Sequence, residues 1–294
     1  MVARSPIISP AALVERLDDP GLRVVDVRWV LGSPGLGREA YDAGHIPGAI
    51  FLDVDSDLVA PEGPGRHPLP SPADLRARLE AAGIGTEHEV VAYDDVGGWV
   101  AARLWWMLDD LGHERVAVLN GGYPAWVAEG LPVTRELPTP TRARLQLADR
   151  WSKTIDRAGV AEGLGRMVLL DARGAPRYRG ETEPIDPVPG HIPTARNAPT
   201  DGNLGPDGRL LEAAQLAARF RALGADGSEG PVVTSCGSGV SACFNSLAMR
   251  VAGLPDPTLY PGSYSDWSRS GMPVAMGPEP GDAAPGAARP TPGR

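Results

Sequence analysis

Short apolar runs rich in β-branched residues alternate with helical patterns along this chain. The runs predict strands at 22–27, 49–52, 90–93 and 116–119 in the first half of the chain. In the second half they predict strands at 168–171 and 232–235. Helices are predicted at 10–17, 71–82, 100–111, 213–223 and 242–251. Such alternation is typical of α/β domains with a mainly parallel sheet. Ligands of such domains bind beyond the carboxyl ends of the strands.

Four sequence landmarks occur twice, in the same order. They pair VVDVR at 24–28 with VLLDAR at 168–173, GHIPGA at 44–49 with GHIPTA at 190–195, VVAYD at 90–94 with VVTSC at 232–236, and GGYPAW at 121–126 with GSYSDW at 262–267. The offsets lie between 141 and 146 residues. A repeat of this length indicates two homologous domains rather than a solenoid.

The repeat and the local composition predict the domain boundaries. The N-terminal domain is expected at 1–135 and the C-terminal domain at 151–276. Residues 136–150 continue a stretch rich in proline, threonine and arginine, and they are interpreted as a linker. Residues 277–294 consist mostly of Gly, Pro, Ala and charged residues, and a disordered tail is predicted there.

Charge and composition exclude several classes of function. The formal net charge of −9 leaves no basic surface for nucleic acid. Neither a membrane span nor a secretory signal is recognisable, so a cytoplasmic protein is expected. The two cysteines, Cys236 and Cys243, exclude a disulfide framework and fit a reducing compartment. The five histidines lack the spacing of metal ligands, so no zinc site is expected.

The segment VVTSCGSGVS at 232–241 carries the candidate chemistry. Its cysteine, Cys236, follows a predicted strand and precedes a predicted helix. Gly237 and Gly239 allow the intervening loop to curl, so that backbone N–H groups point inward. These donors and the helix dipole favour negative charge and hence a nucleophilic thiolate. A buried structural cysteine is the alternative interpretation of the segment alone.

Together, the paired Asp-x-Arg strands, the twin GHIP turns and the CGSGVS loop resemble the two-domain rhodanese family, in particular its 3-mercaptopyruvate sulfurtransferases, over residues 7–275. The resemblance implies two tandem rhodanese-like α/β domains, the first of them catalytically inert. Asp94 stands in that inert domain where Cys236 stands in the second. A carboxylate cannot carry a sulfane sulfur, so the first loop is expected to be structural.

The resemblance also implies the reaction, which needs no metal or organic cofactor. The Cys236 thiolate takes sulfur from a small anionic donor, becomes a persulfide and passes the outer sulfur to a thiophilic acceptor. Cyanide, thiols and a thioredoxin-like protein are the implied acceptors, and 3-mercaptopyruvate is the expected donor. Thiosulfate as donor, and a dedicated sulfur carrier for a biosynthetic partner, remain the alternatives.

Several further site residues follow from the resemblance. Arg177 is expected to hold the anionic group of the donor, with Arg179 as a second candidate. A second arginine usual in the mercaptopyruvate enzymes is replaced by Ile185. The loop positions Gly237 and Ser238 are neutral, which favours a singly charged keto acid over thiosulfate. Gly237, Gly239, Val240 and Ser241 are expected to line the donor site.

Proton transfer is implied for Ser238, His67 and Asp55, with the histidine and aspartate reaching across from the N-terminal domain. Interdomain hydrogen bonding without chemistry is the alternative role for His67 and Asp55. A phosphatase of this fold would need an arginine at position 242, where this chain has Ala242. A binding module without activity would be expected to lack the cysteine that this chain retains.

Overall fold

The computed structural model describes residues 5–283. Its N-terminal half contains, in order, β1 (Ile7–Ile8), α1 (Pro10–Val14), β2 (Leu22–Asp26), α2 (Leu36–Ala43), β3 (Ile50–Phe51), α3 (Val54–Asp57), α4 (Pro72–Ala81), β4 (Glu89–Tyr93), α5 (Ala101–Asp110), β5 (Val116–Leu119) and α6 (Gly122–Ala128). The strands form one parallel sheet in the order β1-β5-β4-β2-β3. Both faces of this sheet are covered, because β2, β4 and β5 are almost entirely buried.

The C-terminal half repeats this plan. It contains α7 (Arg157–Gly163), β6 (Val168–Asp171), α8 (Ala175–Tyr178), β7 (Arg196–Asn197), a 3-10 turn (Thr200–Asn203), α9 (Ala213–Ala222), β8 (Val232–Ser235), α10 (Ala242–Val251), β9 (Thr258–Leu259) and α11 (Ser263–Trp267). The parallel sheet has the order β7-β6-β8-β9. Thr154 forms a parallel bridge with Leu259, in the place where the first sheet has β1. Two parallel-sheet domains flanked by helices confirm the predicted fold class.

Each predicted strand and helix is found, with ends that move by a few residues. The elements that the apolar pattern missed are short: the two-residue strands β1, β7 and β9, the helices α3, α6, α7, α8 and α11, and the eight-residue α2. The strand predicted at 49–52 shrinks to the two residues of β3. Elements this short present no full hydrophobic period, so tertiary contacts decide them.

The two Asp-x-Arg motifs form equivalent buried ion pairs at the ends of β2 and β6. Asp26 and Arg28 meet at 2.6 Å, and Asp171 and Arg173 meet at 2.7 Å. Each arginine also donates to the carbonyl of the glycine that opens the following GHIP turn. The pairs therefore tie each strand end to its turn, and both charges of each pair are satisfied despite burial.

The twin histidines of the GHIP turns are packed alike in both domains. His45 stacks on Tyr41 with ring centroids 3.9 Å apart, and His191 stacks on Tyr178 at 3.8 Å. The Nδ1 atom of each lies 2.8 Å from the backbone carbonyl of its tyrosine. Because the arrangement is the same in the domain without a cysteine, these histidines have a structural role.

The two domains share one apolar core. A single cluster of buried side chains includes residues from both halves, and α5 packs against α10 across the interface. At its centre lies the fully buried Arg103, whose guanidinium donates to the carbonyls of Gly239, Leu58 and His67. Because Gly239 belongs to the cysteine loop and His67 to the N-terminal domain, this side chain fixes one against the other.

The predicted linker and the start of the predicted tail both lie on the domains. In the linker, Ala143 donates to Glu80 and Ala148 donates to Leu111. In the segment 277–283, Gly277 donates to the carbonyl of Arg179. These first residues of the tail are therefore packed against the C-terminal domain rather than disordered. Residues 284–294, which the tail prediction also included, lie outside the described residues.

The N-terminal loop that corresponds to the cysteine loop is filled by a carboxylate. Asp94 is fully buried and accepts four backbone hydrogen bonds, from Val96, Gly98, Val100 and Ala101, at 2.7 to 3.0 Å. The loop of this fold thus encloses one negative group with convergent N–H donors. In this domain the cradle is occupied by its own side chain.

We expect Asp94→Ala to lower the free energy of unfolding by about 3 kcal/mol or more, since it leaves several buried N–H groups without an acceptor. Chemical denaturation monitored by fluorescence measures the change. Asp149→Ala is the matched control, because the Asp149 side chain is 97% exposed and its one ion pair is long, at 3.9 Å. Equal stabilities of the two variants would contradict a structural role for the Asp94 cradle.

Candidate active site

Cys236 lies directly after β8, at the carboxyl end of the C-terminal sheet, as the sequence predicts. Its Sγ accepts backbone hydrogen bonds from Ser238 at 3.4 Å and from Gly239 at 3.1 Å. These donors stabilise negative charge on the sulfur. Gly239 has φ of +76°, and a Cβ atom there would lie 2.5 Å from the carbonyl oxygen of Pro261. Glycine is therefore required at this position of the loop.

The segment before and within α11 holds the loop from behind. The Cys236 N–H donates to Ser263 Oγ at 3.1 Å. Tyr264 and Ser265 donate their N–H groups to the carbonyls of Cys236 and Gly237, both at 2.9 Å. The GSYSDW repeat thus serves to fix the backbone that curls around the cysteine.

The second cysteine, Cys243, is unsuited to the same chemistry. It is fully buried in α10, and its Sγ lies 3.4 Å from the carbonyl oxygen of Gly239. Burial raises the pKa of Cys243 to about 12. Its thiol therefore stays protonated at neutral pH and behaves as part of the core.

Ser238, His67 and Asp55 form a chain across the domain interface. His67 Nδ1 lies 2.6 Å from Ser238 Oγ, and His67 Nε2 lies 3.5 Å from Asp55 Oδ1. Trp29 donates its Nε1–H to the other carboxylate oxygen of Asp55 at 2.8 Å and packs edge-on against the His67 ring. The structure thus brings the three residues together in the order that the resemblance implied.

His67 is held in its neutral form. Burial lowers the pKa of His67 to about 4, and the nearby positive charges of Arg103 and Arg66 act in the same direction. With a hydrogen on Nε2, facing Asp55, the neutral ring presents Nδ1 as an acceptor for the Ser238 hydroxyl. Ser238 thus contacts His67 on one side and lines the cleft on the other.

A cleft of about 260 Å³ opens above the cysteine between the two domains. It is lined by the CGSGVS loop, by aromatic side chains and by arginines: Trp29, Leu31, Arg66, Trp99, Ala172, Arg173, Gly174, Arg177, Thr200, Cys236, Gly237, Ser238, Val240 and Ser241. The predicted loop residues Gly237, Val240 and Ser241 therefore line it, whereas Gly239 does not. A cleft of this size suits a small molecule of a few non-hydrogen atoms.

Arg177 reaches this cleft from α8. Its guanidinium is held at 2.7 Å by Glu183 and at 3.2 Å by Asp186, and both carboxylates are buried. Glu183 also pairs with Arg173 at 3.3 Å. The side chain of Arg177 is 22% exposed, so it is fixed in direction while part of it stays open to a ligand.

Arg179, the second candidate for donor binding, and Ile185, which replaces the family's second arginine, both lie outside the cleft lining. Arg179 is paired with Glu181 at 2.7 Å on the exposed surface and does not line the cleft, so the structure does not bring it to the donor site. Ile185 is partly exposed and contributes only its backbone N–H, to Glu183. No cation therefore stands at the position where the resemblance implied a second arginine.

Arg66 and Trp29 are the cleft residues that sequence reasoning missed. Arg66 precedes His67, and Trp29 follows the Asp-x-Arg motif of the N-terminal domain. Both adjacencies are visible in the sequence. Neither neighbour relation predicts that a residue of the first domain faces the cysteine of the second, because that depends on the contacts at the domain interface.

Residues 5–283 contain no cluster of three or more His, Cys, Asp or Glu side chains that could hold a metal ion. Among the helices in the same range, none is both long enough and apolar enough to cross a bilayer.

Comparisons with known proteins agree with the geometry. A probable 3-mercaptopyruvate sulfurtransferase of Pseudomonas aeruginosa is 44% identical over 94% of this chain and 100% of its own length. A putative thiosulfate sulfurtransferase of Mycobacterium tuberculosis is 39% identical over 91% of this chain and 96% of its own. The structure of the 3-mercaptopyruvate sulfurtransferase from Leishmania major matches 91% of this chain and 75% of its own, at 32% identity and a TM-score of 0.79.

The model of the rhodanese-like domain matches this chain twice, at residues 9–129 and 155–270. Each match covers one of the two parallel-sheet domains. The resemblance carried by the repeated motifs is thereby confirmed, and the protein belongs to the rhodanese-like domain family.

Proposed function

We propose that this protein is a sulfurtransferase that moves a sulfane sulfur from 3-mercaptopyruvate, through a persulfide on Cys236, to a thiophilic acceptor. The observation that carries the proposal is the placement of Cys236. Its sulfur accepts two backbone N–H donors at the end of a cleft that arginines line. This arrangement stabilises the thiolate and, after sulfur transfer, the anionic outer sulfur of a persulfide.

In the first half-reaction the Cys236 thiolate attacks the sulfur of the donor. An S–S bond forms, and the C–S bond of 3-mercaptopyruvate breaks, with its electron pair passing to the carbon next to the carbonyl. The enolate that results takes up the proton of the donor thiol and leaves as pyruvate. Sulfur is oxidised to the sulfane level and the carbon is reduced, so no external oxidant is needed.

Ser238 assists this step through the carbonyl of the donor. As C–S cleavage proceeds, negative charge develops on the carbonyl oxygen, and a hydroxyl that donates a hydrogen bond there stabilises it. Before the donor binds, the hydroxyl donates to His67 Nδ1 at 2.6 Å, and it turns from there to the carbonyl oxygen of the donor; Asp55 lies 3.5 Å from the other ring nitrogen. Catalytic roles for Ser238, His67 and Asp55 are supported by this continuous chain of contacts.

In the second half-reaction an acceptor nucleophile attacks the outer sulfur of the Cys236 persulfide. The S–S bond breaks, its electron pair returns to Cys236 Sγ, and the acceptor leaves carrying the sulfur. Cyanide or a small thiol enters the cleft unaided, whereas a thioredoxin-like protein approaches with one exposed thiol. We place the reaction in the cytoplasm, where both free cysteines remain reduced.

The charges around the cleft favour 3-mercaptopyruvate over thiosulfate. The guanidinium groups of the cleft arginines Arg66, Arg173 and Arg177 are paired with the carboxylates of Asp171, Glu183 and Asp186, so these charges cancel. The cleft therefore offers hydrogen-bond donors to one carboxylate but no net positive charge for a second. A donor with two negative charges would lack compensation, because the loop residues after Cys236 are neutral. Thiosulfate remains the second candidate, since one relative bears that name.

The donor preference tests the proposed function. We expect kcat/KM for 3-mercaptopyruvate to exceed that for thiosulfate by at least about tenfold, with cyanide as the common acceptor and thiocyanate as the measured product. Cys236→Ser should abolish turnover with both donors. Preference for thiosulfate would replace the donor assignment, and turnover with neither donor would favour a dedicated sulfur carrier.

Arg177→Met should raise KM for 3-mercaptopyruvate about 10- to 100-fold and change kcat less, because a charge-assisted hydrogen bond to the carboxylate is lost. Steady-state kinetics with cyanide as the acceptor measure both constants. Arg179→Met is the matched control, since Arg179 lies two residues away and outside the cleft. An equal rise of KM in both variants would remove Arg177 from the donor site.

His67 should titrate with a midpoint near pH 4 in the folded protein, which NMR of the imidazole measures. The pKa of the ring is lower in the folded state than the usual 6.5, so the unfolded chain binds a proton first as the pH falls. The contribution of His67 to stability is therefore complete above pH 6.5 and is lost as the pH falls towards 4. His67→Gln, as the control, should lose less stability over this range. A midpoint near 6.5 would contradict the buried, neutral ring.

A further inference from the structure

Two guanidinium groups from different domains converge on the residue next to the nucleophile. A Cβ atom placed on Gly237 would lie 3.0 Å from Nη2 of Arg66 and 3.6 Å from Nη1 of Arg177. Gly237 directly follows Cys236. When the sulfur of a donor reaches Cys236, the remainder of the donor must occupy the cleft beside this glycine. Both arginine heads border that space.

A buried carboxylate sets the direction of both heads. Asp186 Oδ1 accepts from Nη1 of Arg66 at 2.6 Å, and its Oδ2 lies 3.2 Å from Nη2 of Arg177. The nitrogens that approach Gly237 are the other terminal nitrogen of each group. Asp186 thus holds one edge of each guanidinium and leaves a second edge directed at the cleft.

The side chain of Arg66 is fixed but incompletely satisfied. Its backbone N–H donates to Ser265 Oγ at 2.9 Å, which anchors the residue to the C-terminal domain independently of its side chain. The side chain is only 19% exposed, and its buried Nε has no hydrogen-bond partner among the described residues. The unpartnered Nε is itself buried, so an anionic ligand would be held by the terminal nitrogen that lies beside Gly237 at the cleft.

We propose that Arg66, contributed by the N-terminal domain, is the second guanidinium that binds the carboxylate of the donor, opposite Arg177. Asp186 is the positioning residue for both. The inference rests on the proposed function and extends it. It gives the N-terminal domain a direct part in donor selection, because the carboxylate is held between the two domains while the sulfur lies at Cys236. An arginine at position 185 is then not needed, because Arg66 supplies the positive charge from the N-terminal domain.

The test compares two donors that differ only in the carboxylate. Mercaptoacetone has the α-mercaptoketone of 3-mercaptopyruvate with a methyl group in place of the carboxylate. We expect Arg66→Met to lower kcat/KM for 3-mercaptopyruvate about 10- to 100-fold, from the loss of a charge-assisted hydrogen bond. The same variant should leave kcat/KM for mercaptoacetone within about twofold of the wild type. Arg66→Lys, which keeps the charge but loses the planar fork, should be intermediate.

Arg269→Met is the matched control. Arg269 also pairs with Asp186 Oδ1, at 3.1 Å, but its side chain is 50% exposed and does not line the cleft. If Arg66 acts only by holding Asp186, the two variants will behave alike, which would overturn the inference. Equal losses with both donors in Arg66→Met would also overturn it, as the signature of a structural role.

The dissociation constant of pyruvate, measured by titration of the sulfur-free enzyme, gives an independent readout. Pyruvate carries the same carboxylate and no transferable sulfur, so it should bind more weakly to Arg66→Met by the factor found for 3-mercaptopyruvate. An unchanged constant would contradict the inference. Failure of the proposed function is recognised separately, because the wild-type protein would then not turn over 3-mercaptopyruvate.

Discussion

The catalytic arrangement depends on one buried cation. Arg103 lies in the interface helix α5, with no exposed surface, and its guanidinium donates to carbonyls from the cysteine loop, from the loop that carries His67 and from Leu58. Burying a guanidinium is costly, and its buried Nε has no partner among the described residues, so the bonds of its two terminal nitrogens must be kept. The two loops must therefore hold the spacing that those bonds need. The distance from His67 to Ser238 is thereby fixed by the core rather than by the surface of the cleft.

The duplicated loop shows how one backbone serves two purposes. In the N-terminal domain the carboxylate of Asp94 fills the ring of N–H donors and closes it. In the C-terminal domain the sulfur of Cys236 accepts two such donors, and the space above it opens to the cleft. The same electrostatic preference for negative charge stabilises a structural side chain in one half and a reactive one in the other.

The arginines of the cleft are organised by buried carboxylates rather than left free. Glu183 joins Arg173 to Arg177, and Asp186 joins Arg177 to Arg66. Each carboxylate lowers the cost of burying its arginines and fixes the direction of a flexible side chain before any ligand arrives. Guanidinium groups fixed in this way bind an anion whose size and charge match their spacing more tightly than other anions.

Local apolar pattern and glycine chemistry were enough to predict the two α/β domains, the repeat, the cysteine loop after β8 and the carboxylate in its N-terminal counterpart. Motifs that resemble a known family also singled out Arg177, His67, Asp55 and Ser238. Which of these side chains meet depends on the packing of the whole molecule. It moved Arg179 to the surface, gave Arg103 its place between the domains and brought Arg66 beside Gly237. Contacts between residues far apart in the chain depend on how two domains pack, and no local pattern encodes that geometry.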